Sequence, residues 1–198
     1  EGGATDTYTV VLDSEPTAAV TVTLTPDADV SVSSASLTFT SGNWNLPQTI
    51  TVSAVDDANI EGAHTGTVTH VVTSGDTRYN AIVVSSVGAT VTDNDAAGIS
   101  MTESGGSSNV TEDGSTDSYQ RVLTAAPTSD VTVTLVSNTQ VSVSSSSLIF
   151  TPDNYFTVQT VTVTATDDHR VEGAHTGSIA HTVSSSDMNY NAMGLATL

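Results

Sequence analysis

Acidic residues are the chemical resource of this chain. Asp56 and Asp57 are followed by Glu61, and the pattern returns as Asp167, Asp168 and Glu172. Glu1 and Glu112 each precede an alternating segment, and Asp93 and Asp95 follow the last alternating segment of the first copy. Carboxylates without cysteine are hard oxygen donors. They suit Ca²⁺, which takes ~6–8 oxygens in flexible geometry. Gathered and bare, they repel: two charges ~5 Å apart in an effective dielectric of ~20 cost about 3 kcal/mol. Several such pairs rival the roughly 5–15 kcal/mol that holds a small domain together. Such groups either splay into water or take a cation. Turn preference explains Asp93-Asn94-Asp95 taken alone. It does not explain three acidic groups in one repeat, with the Asp-Asp-x-x-x-Glu spacing kept while neighbouring side chains changed.

The elements that must position these acids come in duplicate. DDANIEGAHTG at 56–66 returns as DDHRVEGAHTG at 167–177, an offset of 111 residues. The offset holds without a gap from Glu1/Glu112 to Val87/Leu198, and about half of the paired positions are identical. Internal repeats of this kind define the architecture. The 198 residues make two domains, 1–95 and 96–198, each long enough for its own core. The first lacks a counterpart of the opening strand and the second lacks the closing one, so the chain reads as a length of a longer array.

Alternation dominates within each copy. Val20-Thr-Val-Thr-Leu24 and Val131-Thr-Val-Thr-Leu135 show period two with β-branched residues, the mark of half-buried strands. Strands are expected near 5–13, 18–25, 30–40 with a break at the serines, 47–55, 64–73 and 82–92. The second copy adds one near 98–103. About seven strands per repeat predict an all-β fold of two tandem immunoglobulin-like antiparallel β-sandwiches, stacked end to end through the short linker after Asp95.

Composition narrows the function. The net charge is −19, with 22 acidic residues against three arginines. Nucleic acid and anionic membrane both need a positive surface, so neither is an expected partner. Cysteine is absent, so no disulfides brace the domains. No apolar run is long enough to span a membrane. His64/His70 and His175/His181 recur six apart, which on one strand face is ~20 Å, too far for one ion to bridge. Trp44, Tyr155, Tyr79 and Tyr190 could stack on sugars, but packing is the commoner role for aromatics beside strands. No nucleophilic triad and no phosphate loop is present, so an enzyme is not expected.

The run DDANIEG, together with a terminal strand ending in TDND-AAGI, resembles the Calx-β domain. That family is known from the calcium-sensing part of the sodium–calcium exchanger and from large bacterial surface proteins. The resemblance implies calcium ligands Glu1, Asp56, Asp57, Glu61, Asp93 and Asp95 in the first copy, and Glu112, Asp167, Asp168 and Glu172 in the second. The second copy should bind weakly, because its Asp-x-Asp exit is absent. The expected protein is a calcium-binding extension module of an extracellular or cell-surface adhesin or fibre. Its partners would be neighbouring copies of the same repeat, with Ca²⁺ rigidifying the joint between domains. Two alternatives stay open: a module for cell-surface polysaccharide, and a subunit that self-associates into fibres by strand donation.

Overall fold

The computed structural model describes residues 1–112, 114–171 and 173–198. The chain divides into two units, Glu1–Asp57 with Glu61–Asn94, and Ala58–Ile60 with Asp95–Leu198. The first unit is built from β1 (Thr5–Val10), β2 (Val20–Pro26), β3 (Val30–Val32), β4 (Ser36–Phe39), β5 (Gln48–Ala54), β6 (His64–Ser74) and β7 (Val87–Val91). They form two antiparallel sheets, ordered β1-β5-β3 and β4-β2-β6-β7. The second unit contains β8 (Ile99–Glu103), β9 (Thr116–Leu123), β10 (Val131–Ser137), β11 (Val141–Val143), β12 (Ser147–Phe150), β13 (Gln159–Ala165) and β14 (Ile179–Ser185). Its sheets run β11-β13-β9-β8 and β12-β10-β14. Each unit is an antiparallel β-sandwich.

The period-two pattern explains the packing. In β2, Val20, Val22 and Leu24 are buried while Thr23 faces water; β10 repeats this with Val131, Val133, Leu135 and Thr134. The first core closes around Phe39, Ile50 and Val68, the second around Tyr119, Phe150 and Val161. The expected break at the serines falls between β3 and β4. The segment 82–86 was expected as strand and is not one. Ala81 takes a left-handed φ of 58°, and the chain leaves that turn with Val83 fully in solvent. Its counterpart Ala192 is also left-handed, at φ 57°. Among the described residues no helix is long and apolar enough to cross a membrane.

Buried polar side chains stitch loop to loop. The Tyr79 hydroxyl donates to the Ser14 carbonyl at 2.6 Å, and Tyr190 does the same to Ala125. Asp76 accepts the Thr17 N–H, and Asp187 accepts that of Thr128, both at 2.8 Å. Tyr79 and Tyr190 are therefore interior, with no free face for a sugar, and Trp44 and Tyr155 pack partly against the cores.

Each unit also pairs a tyrosine with a histidine, buried in the second unit and half-buried in the first. His181 Nδ1 lies 3.1 Å from the Ala196 carbonyl, which can only accept, so the ring proton sits on Nδ1. Nε2 then accepts from the Tyr119 hydroxyl at 2.9 Å. Tyr8, His70 and the Ser85 carbonyl repeat the arrangement in the first unit. Burial pulls the His181 pKa below 6.5, and the Arg121 charge pulls the same way against the Ala196 carbonyl. The unfolded chain takes up this proton near pH 6.5 and the folded unit only at lower pH. The stability is thus complete above about pH 6.5 and lost as pH falls through the folded value. The melting temperature of the second unit should fall between pH 7.5 and 5.5, and His181→Gln should flatten that slope. A wild-type melting temperature constant over the window would contradict a neutral buried imidazole.

Candidate metal centre

The first unit brings its leading glutamate, the 56–64 loop and the exit of β7 to one end. The loop is held by its backbone: Asp93 Oδ2 accepts the N–H groups of Glu61 at 2.8 Å and Gly62 at 2.7 Å. Gly62 has a φ of 67°, a turn that suits glycine and presents its N–H to that carboxylate. Asp56 Oδ1 accepts from the Gly2 N–H at 3.2 Å and the Asn94 amide at 3.1 Å. Glu1, Ala4, Asp6, Asp93 and Asn94 help to line a cleft of about 320 Å³ between the two sheets.

Three ligand atoms converge here. One atom each from Glu1, Glu61 and His64 lie within 4.8 Å of one another. Glu1 also offers an oxygen within 4.8 Å of one from Asp93. Glu1 Oε2 is buried and accepts no hydrogen bond among the described residues. That matters because a buried acceptor without a donor costs roughly 1–3 kcal/mol, more when charged. His64 Nδ1 lies 2.9 Å from the Gly62 carbonyl, and Nε2 lies 3.6 Å from Glu61 Oε2. The Gly62 carbonyl raises the His64 pKa most, with Glu61, Asp29 and Glu1 adding to it against desolvation.

The ten expected ligands are therefore not placed alike. Glu1, Glu61 and Asp93 gather. Asp56 and Asp57 are exposed, and Asp56 serves the Gly2 and Asn94 hydrogen bonds. Asp95 opens the second unit. In the second unit, Glu112 Oε1 is buried without a hydrogen bond among the described residues, as in its copy Glu1. Asp167 and Asp168 accept the N–H groups of His169 and Arg170 at 3.1 and 3.0 Å. The same two side chains approach those carboxylates at 3.7 and 3.6 Å. The first loop has Ala58 and Asn59 at those positions. Glu172 lies outside the described residues.

Two participants escaped the sequence reading. Asp29 acts electrostatically on His64, although 35 places separate them in the chain. His64 itself joins Glu1 and Glu61, not the His70 that shares its spacing pattern. The available signal was the paired comparison, since Asp29 becomes Gln140 in a copy that keeps the histidine as His175.

Fold and site together describe paired antiparallel sandwiches with carboxylates gathered at one end of the first. No family model and no curated protein matches the chain. Twelve chains of solved structures do. One is the crystal structure of CBD12 from CALX1.2, with a TM-score of 0.37 and 14% identity, covering 89% of this chain and 73% of that one. This Calx-β neighbour is distant, and the likeness concerns backbone architecture alone.

Proposed function

We propose that the chain is a calcium-binding extension module of an extracellular repeat protein, with a structural and not an enzymatic role. The observation that carries the reading is the leading glutamate of each copy. Glu1 and Glu112 both keep a carboxylate oxygen buried without a hydrogen bond among the described residues. A hard cation is the partner that such an oxygen lacks, and Glu61 and Asp93 supply further oxygens beside Glu1. Glu1, Glu61 and Asp93 would hold the ion, with water completing its shell. Calcium supplies the positive charge that offsets their mutual repulsion.

The tandem duplication and the charge of −19 support a module used in series in a calcium-rich exterior. Ca²⁺ bound to Asp93 and its loop would stiffen the exit segment that leads to the next repeat. An adhesin or surface fibre fits this role, with neighbouring copies of the repeat as partners.

At free calcium 100-fold above Kd, one site adds about 2.7 kcal/mol to the folded state. Calcium should therefore raise the melting temperature relative to chelator, and small-angle scattering should show a changed maximum dimension. Glu1→Gln should remove most of the calcium-induced rise. Equal melting temperatures and equal dimensions in calcium and chelator would overturn the reading.

A further inference from the structure

We infer that the first unit holds a site for a divalent first-row transition ion, with Zn²⁺ as its working example, on His64 Nε2 and the carboxylates of Glu1 and Glu61. The inference shares two carboxylates with the calcium reading but rests on the histidine, which that reading does not use.

The donor set is the first argument. A carbonyl oxygen cannot donate, so the 2.9 Å contact of His64 Nδ1 with Gly62 fixes the proton on Nδ1. The lone pair of Nε2 then points away from that bond. A backbone carbonyl that orients the imbalanced ring in this way is the usual outer support of a metal-bound histidine. Imidazole with carboxylates suits zinc and its neighbours, whereas calcium takes oxygen alone.

Geometry is the second. Tetrahedral zinc with bonds of ~2.0–2.1 Å spaces its ligand atoms roughly 3.3 Å apart. His64 Nε2 and Glu61 Oε2 are 3.6 Å apart, and the three ligand atoms span no more than 4.8 Å. Small side-chain rotations close that difference. Glu1 Oε2 is buried there without a hydrogen bond among the described residues.

The second copy supplies the contrast. His175 Nδ1 makes the same 2.9 Å contact with the Gly173 carbonyl, but its Nε2 meets the Gln140 side-chain oxygen at 3.0 Å. Gln140 stands where the first copy has Asp29. His64 Nε2 thus lies beside carboxylates, whereas an amide side chain reaches His175 Nε2, although both belong to the same repeated motif. Among the described residues the three ligand atoms come together in the first copy, and the ion is assigned there.

The test is isothermal titration of the metal-free protein with Zn²⁺, alongside Co²⁺ titration followed by visible absorption. One ion per chain should bind with a nitrogen ligand. His64→Gln should weaken Zn²⁺ binding at least tenfold and leave calcium binding in place, whereas His175→Gln should leave Zn²⁺ binding unchanged. Binding of Co²⁺ to the unaltered protein should also broaden or shift the amide resonances of Thr65 and Gly66 before those of Thr176 and Gly177. Equal Zn²⁺ affinity in His64→Gln and wild type, or first effects at Thr176 and Gly177, would overturn the assignment. Loss of calcium binding alone would overturn the calcium reading and leave this one standing.

Discussion

Gly66→Ala is expected to destabilise the first unit by about 1–3 kcal/mol, the usual cost of forcing extra atoms into a packed core. A melting temperature lower by roughly 4–8 °C per kcal/mol follows for a unit of this size. The sign is not obvious in advance. Alanine normally favours a strand over glycine by roughly 0.5–1 kcal/mol, and Gly66 has an ordinary φ that alanine accepts. Packing decides the outcome. A Cβ at Gly66 would lie 2.3 Å from Val30 Cγ1, with two further Val30 carbons at 3.1 and 3.2 Å. Val30 is buried in the opposite sheet and is stiff about χ1, so it cannot swing away. Gly177 meets Val141 in the same way, at 2.4 Å. The double variant Gly66→Ala with Val30→Ala should recover part of the loss, because the two sites couple. Thermal melting of the three variants checks this. A single Gly66→Ala variant as stable as wild type would mean that the sheets part more readily than the packing allows.

Arg121→Met should do the opposite and stabilise the second unit by about 1–4 kcal/mol, the gain found when buried ionic groups are exchanged for well-packed apolar ones. Arg121 is 2% exposed, and its Nε and Nη2 atoms have no hydrogen-bond partner among the described residues. Burial pulls the guanidinium below its ordinary range, and its contact with Tyr119 is a cation–π approach of 5.9 Å. The charge in turn opposes the burial that pushes Tyr119 up to about 12. A contact of that type returns roughly 0.5–2 kcal/mol, short of the several kcal/mol that desolvating a charge costs. Methionine keeps an unbranched stem to fill the space without the charge. Scanning calorimetry should show the higher-melting variant. A lower melting temperature would show that the guanidinium is paired in solution.

Much of the fold was written locally. Val20-Thr-Val-Thr-Leu24 announces its buried face by alternation, and Ser33 and Ser34 mark where one expected strand becomes β3 and β4. The acidic loop was equally plain, because its spacing survived duplication. What could not be read depends on contacts between residues far apart in the chain. Gly66 needs Val30, His64 feels Asp29, and Glu1 meets Asp93, each a tertiary encounter without a short-range signal. The segment 82–86 misled for a local reason, since the β-branched run Ile82-Val83-Val84 says nothing of the left-handed turn at Ala81. Asp56 and Asp57 shared the expected loop with Glu61, but a common loop does not send every carboxylate to a common point.

The equivalence of β2 and β10 carries a risk for the chain as it folds. Both strands read Val-Thr-Val-Thr-Leu, and both bury the same three side chains. Either could fill the other's slot, and neighbouring repeats are prone to this kind of misassembly. Partner choice must come from strands that have diverged. At the position of Val10 in β1, β9 carries Arg121, a side chain that would bring an uncompensated charge into the first core. The same arginine that weakens its own unit therefore penalises a swap, and its removal would give the repeats greater freedom to trade strands.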